Sequence, residues 1–467
     1  MLRLRNTLTK QVEEITPLEP GHIGMYSCGP TVYRPLHVGN LRSFLLSDVI
    51  DRVLSYHGLD VRRVMNITDV GHMTDELTDE GRDRMLMAME DEGLGTSEIA
   101  EKYTDIFYRD TDAVNIRRAA VYPKATEHIE QIKELIAKLL ERGHAYSSDG
   151  TIYYDVTSFA DYGKLSGQSL DAMQPGHRIE IDTRKRNHQD FTLWVAAGPR
   201  RELVFDSPWG TGYPGWHIEC SAMSLHYLGE RFDIHTGGVD NRFPHHEDEI
   251  AQSEGAVGHR VVQTWSHGEH LLMAQLKMAK SAGNVVTVQS LIDAGVDPLA
   301  FRYLCFTGRY RRQVHFTQDA LDAAATALRR LREQVALLGV AGSAVSTDPD
   351  LRADLRDGAV AYHDRFIGAI DDDLDLPAAV TVLHETLADD SIPPTDRRSL
   401  VGSWDEILGL DLIGSDELPP ELAQLVRRRD EARAARDFAG ADEIRDRLRA
   451  QGVELLDSDK GTRWVRR

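Results

Sequence analysis

Hydrophobic and polar residues alternate along this chain with two distinct periods. Residues 22–33 are largely apolar and run into Gly29-Pro30, which predicts a buried strand entering a tight turn. In "LRSFLLSDVIDRVLSYHG" the apolar positions recur every three to four residues, predicting an amphipathic helix stopped by Gly58. "LDVRRVMNITDVG" then reads as a second strand. Strand, turn, helix, strand is a βαβ unit, the building block of a doubly wound sheet whose ligands sit at the C-terminal ends of its strands. Residues 37–40 would open the helix at the mouth of such a site.

Further along, helical spacing is expected from about Thr96 to Arg142, and "HAYSSDGTIYYDV" alternates like a hairpin. The segment 159–215 is rich in Gly, Pro and charge and reads as an insertion. "YPGWHIECSAMSLHYLG" returns to the helical period, and "FDIHTGGVD" is another strand ending in glycines. Beyond about residue 315 the pattern is almost wholly helical, punctuated by a Gly/Ser/Asp linker at 341–350 and by Pro419-Pro420. No internal repeat interrupts this succession.

Composition narrows what such a chain can be. With 467 residues, 41% apolar and 28% charged, it is long enough for two to four globular domains and argues against both disorder and a membrane span. "MLRLRNTLTK" has two arginines but no apolar run behind them, so no secretory signal is expected and the setting is cytoplasmic. The three cysteines (Cys28, Cys220, Cys305) fit a reducing compartment and argue against a disulfide framework. A formal charge of −21 argues against nonspecific nucleic-acid binding. Charge is unevenly spread, however: from Arg427 to Arg467 there are 12 Lys plus Arg against 9 Asp plus Glu, a net of +3.

Two constellations carry candidate chemistry. "FPHHEDEIAQSE" sets Pro244 at a helix start and puts His245 and Glu249, four apart, on one face. With Cys220, 25 residues upstream in another helix, and Cys28, this makes two thiolates, an imidazole and a carboxylate, a chemically sensible Zn²⁺ site. Each member alone has a plainer reading, since a cysteine in "HIECSAM" fills a core and a histidine is satisfied by a neighbour. The second constellation is "KMAKS", where Lys277 and Lys280 on a glycine-flanked loop could grip a triphosphate as point charges. A solvated basic loop is its plainer reading, and the presence of "HVGN" some 240 residues earlier weighs against it.

"HVGN" and "KMAKS" resemble the two signature motifs of class I aminoacyl-tRNA synthetases, HIGH and KMSKS. Around them "YSCGPTVY", "NITDV", "SPWG", "PGWHIECSAMS", "FPHHEDEIAQSE", "FRYLCFTGRYR" and "GTRWVRR" resemble the cysteinyl-tRNA synthetase family, in order and over nearly the whole chain. The resemblance implies an α/β fold: a Rossmann-like doubly wound catalytic domain at 1–260 with an insertion at about 125–215, a KMSKS-loop and stem-contact region at 261–315, a helical bundle at 316–412, and a small C-terminal α+β anticodon-binding domain at 413–467. It implies that ATP activates L-cysteine to an adenylate and that cysteine then passes to the 3′ end of tRNA(Cys). Zinc, one per chain, would be held by Cys28, Cys220, His245 and Glu249. ATP, with Mg²⁺, would meet His37, Gly39, Asn40, Lys277, Lys280 and Ser281, of which His37, Asn40, Lys277 and Lys280 would be catalytic. Thr68, Trp216 and Asp240 would contact the amino acid, and Trp464 an anticodon base. The implied enzyme is monomeric, with no membrane partner.

The sequence departs from the family pattern in places. Asn40 stands where a second histidine is commoner and Ala279 replaces the middle serine of KMSKS. "NITDVGHMTDE" replaces the usual NITDVDDK, Val195 takes the place of a common lysine, and Tyr213 that of a usual arginine. Two other readings are therefore weighed: a ligase of the same fold that joins activated cysteine to a small amine, and a non-catalytic tRNA- or cysteine-binding homologue. The long tail past the catalytic core speaks against the first, and the retention of both lysines and all four candidate ligands speaks against the second.

Overall fold

A computed structural model describes residues 1–71, 73–75, 80–169, 183–198, 201, 203–273, 286–338, 355–413, 418–458 and 461–466. At its centre lie four parallel strands, β1 (His22–Ser27), β2 (Asp60–Met65), β3 (Phe232–Gly238) and β4 (Val262–Gly268), ordered β4-β3-β1-β2. Helix α1 (Val38–Tyr56) makes the crossover from β1 to β2, as a parallel pair requires. The chain runs outward in one direction from β1 to β2 and in the other from β3 to β4. The crevice past the C-terminal ends of β1 and β3 is therefore the topological switch point, where an open α/β sheet binds its ligand.

The apolar rhythm seen in "LRSFLLSDVIDRVLSYHG" becomes a helix buried nearly all round, including Arg42, Asp48 and Arg52. Buried charge must be paired. Asp48 accepts from Arg52 Nε at 2.8 Å, from Arg302 Nη2 at 2.6 Å and from the Arg117 backbone N–H at 2.8 Å. Arg302 and Arg52 donate onward to the carbonyls of Leu408 and Glu406 respectively. One carboxylate on α1 thus ties the central helix to the helix Pro298–Phe306 and to the end of the bundle helix Pro394–Leu408.

The helical stretch expected from Thr96 to Arg142 is divided into Thr96–Ala113 and Ile129–Glu141. Pro123 cannot donate within a helix, and the intervening chain instead follows β2: Met65 N–H donates to Val121 O at 3.0 Å and Ile67 N–H to Pro123 O at 2.8 Å. The expected hairpin forms from Ala145–Ser148 and Thr151–Tyr154, and Phe191–Ala196 and Gly212–Pro214 extend it to a four-stranded antiparallel sheet. Its inner face packs on the Ile129–Glu141 helix through Ile132, Ile136, Leu139, Ile152 and Trp194.

Helices Gln318–Leu338, Asp357–Asp371, Leu376–Ala388 and Pro394–Leu408 follow. The chain ends in two helices, Pro420–Ala434 and Phe438–Ala450, and an antiparallel hairpin, Val453–Ser458 with Gly461–Arg466. Among the described residues no helix is long and apolar enough to cross a membrane.

Candidate active site and metal centre

The chain leaves β1 through Cys28-Gly29-Pro30, and this turn fixes much of the site. A Cβ on Gly29 would lie 1.7 Å from Asn66 O, so no larger residue fits there. Gly29 N–H donates to Asn66 Oδ1 at 2.8 Å, and Asn66 Nδ2 donates to Thr68 Oγ1 at 3.0 Å. Thr68, fully buried, is further pinned by its own N–H to Pro30 O and by Val32 N–H to its carbonyl. The turn after β1 and the chain after β2 are in this way locked side by side.

Cys28 meets two helices. Helix α2 (Trp216–Leu228) supplies Cys220, and helix α3 (His245–Val257) supplies His245 and Glu249. The donor atoms of Cys28, Cys220, His245 and Glu249 all lie within 4.8 Å of one another. His245 Nε2 is 3.1 Å from Glu249 Oε1, which is 3.5 Å from Cys28 Sγ. A second set within the same span, Cys28, His235, His246 and Glu249, shares two of these residues. Glu249 Oε2 faces His235 Nε2 at 3.0 Å, and Cys28 Sγ is 3.1 Å from His246 Nε2.

Outside these lies a further ring of support. His245 Nδ1 is 2.8 Å from His217 Nδ1, and His217 Nε2 lies 3.4 Å from Asp248 Oδ2. His246 Nδ1 is 2.8 Å from His267 Nε2, whose Nδ1 is 2.8 Å from Thr7 Oγ1. Such partners orient a ligating imidazole and fix its tautomer. Glycine makes the approach possible, because a Cβ on Gly237 would sit 2.6 Å from His246 Cε1.

Protonation in this cluster follows charge and burial. Burial of its thiol, then the hydrogen bond and charge of Cys220 and the Glu249 carboxylate, pushes Cys28 well above the ordinary cysteine value. The hydrogen bond from Cys28 holds Cys220 below it, against burial. Burial disfavours the Glu249 carboxylate, but His235 and His245 bring it down to about 2; burial likewise opposes charge on His245, but Cys220 and Glu249 raise it to about 10. Two cysteine sulfurs, an imidazole and a carboxylate are the S, N and O donors that Zn²⁺ takes in four-coordinate sites, so the residues fit that ion.

Of the remaining candidates, Trp216 lies against the cluster itself. The first residue of α2, it sets its ring 4.3 Å from that of His245. Asp240 is exposed in the short turn Val239–Arg242 directly after β3. His37 precedes α1 in extended backbone and makes no side-chain cap, and its ring lies against Gly39, where a Cβ would be 2.8 Å from it. Burial and Arg34 lower its pKa, with Asp240 opposing them. Asn40 N–H donates to His37 O at 3.0 Å. Lys277, Lys280 and Ser281 lie outside the described residues. Trp464 pairs with Leu455 across the final hairpin and packs, partly buried, on the small core of Leu425, Leu448, Val453 and Leu455.

Sequence reasoning did not single out His217, His235, His246 and His267. His246 adjoins a candidate ligand and His217 lies three residues before another, which were available signals. His235 and His267 come from separate strands, and only the fold brings them in.

Two of the departures from the family pattern also prove to be neighbours. Val195 and Tyr213 are direct cross-strand partners, Arg201 lies with its Cζ 3.3 Å from the Tyr213 ring centroid, and Arg201 Nη2 donates to Gly71 O.

Comparison with known proteins bears directly on this arrangement. A family model for the "tRNA synthetases class I (C) catalytic domain" matches residues 14–326, and one for the "cysteinyl-tRNA ligase anticodon binding domain" matches residues 415–464. A cysteine–tRNA ligase of Treponema denticola is 41% identical over 488 residues, covering 99% of each chain. One from Thermus thermophilus is 41% identical over 479 residues, again covering 99% of each. Methionyl-tRNA synthetase of Mycobacterium tuberculosis, solved with methionyl-adenylate, shares the fold at 15% identity with a TM-score of 0.56, covering 84% of this chain and 91% of that one. With domain matches at both ends and identity of this extent, the chain belongs to the cysteinyl-tRNA synthetase family of class I synthetases.

Proposed function

We propose that this protein is a cysteine–tRNA ligase that converts L-cysteine and ATP to cysteinyl-adenylate and passes the cysteinyl group to the 3′ end of tRNA(Cys). The observation that carries the reading is the convergence of Cys28, Cys220, His245 and Glu249 at the sheet's switch point, in a chain alike to cysteine–tRNA ligases from end to end. It acts as a cytoplasmic monomer holding one zinc, with Mg²⁺ accompanying ATP. Residues 1–260 with their insertion bind the small substrates, 261–315 contact the acceptor stem, 316–412 form the connecting bundle, and 413–467 read the anticodon.

Cys28, Cys220, His245 and Glu249 would hold zinc, which when bound would supply a borderline-soft Lewis acid that takes a thiolate far better than a hydroxyl. Serine, nearly the same size as cysteine, would be refused on that ground, where an apolar pocket would separate the two poorly. Thr68 and Trp216 shape the pocket around the amino acid, and Asp240 offers a carboxylate to its ammonium group. The cysteine carboxylate attacks the α-phosphorus of ATP, and pyrophosphate leaves. A ribose hydroxyl of the terminal tRNA nucleotide then attacks the adenylate carbonyl, and AMP leaves.

Neither step needs a covalent bond to the protein, so these residues act by positioning and by charge. His37 and Asn40 present their side chains, and Gly39 its backbone, to the phosphates at the start of α1, where the helix dipole favours anions. A histidine held neutral there donates a hydrogen bond without needing to carry charge. Lys277 and Lys280 balance charge that grows on the departing pyrophosphate, and Ser281 adds a hydroxyl donor.

Cysteine-dependent ATP–pyrophosphate exchange tests this. Exchange supported by cysteine and not by serine is expected; equal exchange with both would remove the role given to the metal.

A further inference from the structure

Two residues past Asn40, the guanidinium of Arg42 is buried among backbone carbonyls, and the residue is only 5% exposed. Nη1 donates to Glu269 O at 2.8 Å and to His270 O at 2.6 Å; Nη2 donates to Arg312 O at 2.5 Å and to Arg309 O at 3.4 Å. Glu269 and His270 lie between β4 and the short strand β5 (Leu271–Met273), whose parallel partner β6 (Val314–Phe316) follows Arg309 and Arg312 closely. From the first turn of the same helix, the Val38 N–H donates to Val286 O at 2.9 Å. Helix α1 therefore holds both described flanks of the lysine motif, residues 269 and 270 through Arg42 and residue 286 through Val38.

We infer that Arg42 is a positioning residue for adenylation, setting the phosphate-binding start of α1 relative to the flanks between which Lys277 and Lys280 run in sequence. The inference rests on the proposed role of residues 37–40 and 277–281 in binding ATP phosphates. Only a guanidinium suits this place. Its donors form a rigid planar fork that reaches several carbonyls at once, whereas an ammonium is a compact point charge. The two phosphate-binding elements lie some 240 residues apart in sequence. Misplacing reacting groups by about 1 Å can cost on the order of 10²-fold in rate. Arg42 touches no substrate in this account, and its effect is confined to geometry between elements that do.

The test compares wild type with Arg42→Lys and Arg42→Ala in full-length, zinc-loaded protein. Adenylate formation is followed by rapid quench, giving a burst amplitude that counts working sites and a burst rate for each site; cysteine affinity is measured by calorimetry. The expected result is a burst rate lowered roughly 10-fold or more in both variants, with amplitude per folded protein and cysteine Kd within about twofold of wild type. Lysine should not rescue, although it keeps the charge. A burst rate equal to wild type would overturn the inference, and so would equal losses in rate and cysteine affinity, which mark general damage to the site. If neither variant folds, Arg42 is a structural residue and the inference also fails. Failure of the wild type itself to form adenylate would instead overturn the phosphate-binding reading beneath it.

Discussion

His245 Nε2 and Glu249 Oε1 lie 3.1 Å apart across one turn of α3, both fully enclosed, with Cys28 Sγ 3.5 Å from the same carboxylate oxygen. A buried, charged cluster of this kind is costly unless it serves a bound ion. One zinc per chain is expected by elemental analysis. His245→Ala or Cys220→Ala should lose it, and His217→Ala, which removes only the outer support of His245, should weaken zinc affinity by roughly 10- to 100-fold. Competition with a metal-sensitive dye measures this; full zinc content and full cysteine binding in Cys220→Ala would contradict the assignment.

The lysine motif gives a kinetic prediction. Lys280 acts on charge that develops as pyrophosphate departs, so Lys280→Ala should lower kcat for adenylation by on the order of 10²-fold or more, with a smaller change in ATP affinity. Pyrophosphate-exchange kinetics at varied ATP separate the two quantities. An unchanged kcat would reduce "KMAKS" to a surface loop.

Stability has its own test in Asp48. Burial disfavours its charge, but Arg302, Arg52 and Arg63, with the Arg117 N–H, outweigh burial and hold the carboxyl below its ordinary value. A depressed folded-state pKa contributes stability that is present above the unfolded value of about 3.9 and is lost as pH falls through the folded value. Asp48→Ala would strand two buried guanidiniums, an effect of about 3–5 kcal/mol. The denaturation midpoint should drop accordingly at pH 7, and the acid limb of the wild-type profile below about pH 4 should flatten in the variant.

At the C-terminal end, Arg429 is committed to Asp457, with bonds of 2.6 and 2.7 Å, while the neighbouring Arg427 and Arg428 are exposed. Reversing the two exposed charges to Glu should weaken tRNA binding and lower its salt dependence, leaving pyrophosphate exchange at the wild-type rate. Trp464→Ala should weaken tRNA binding by ~1–3 kcal/mol if the exposed part of the ring stacks on a base. Because the rest of the ring packs on the core of Leu425, Leu448, Val453 and Leu455, the variant should also loosen this small domain, visible as reduced hydrogen-exchange protection in the final hairpin.

The βαβ core was legible because β1 runs into Gly29-Pro30 and α1 repeats its apolar positions every three to four residues up to Gly58, and the pairing of His245 with Glu249 followed from helical spacing alone. Strand β4 was not legible. "VQTWSHG" mixes polar and aromatic residues because Trp265 and His267 face the histidine cluster, while Val262 and Trp265 also join an apolar core with Phe232 and Ile250. The break at 114–124 was missed for a related reason: that stretch is extended because it bonds to β2, a partner some 55 residues away that no local pattern records. Likewise Val195 and Tyr213 look like unrelated departures until the antiparallel sheet sets them side by side.

The most direct test of the central claim is aminoacylation of tRNA(Cys) by the zinc-loaded protein, run beside cysteine-dependent pyrophosphate exchange on the same preparation. The account predicts both: exchange with cysteine and ATP, and cysteine esterified to the 3′ end of tRNA bearing the cysteine anticodon, with no charging of a tRNA whose anticodon is changed. Exchange without charging would contradict it and would make the protein a ligase that delivers activated cysteine to a different, smaller acceptor.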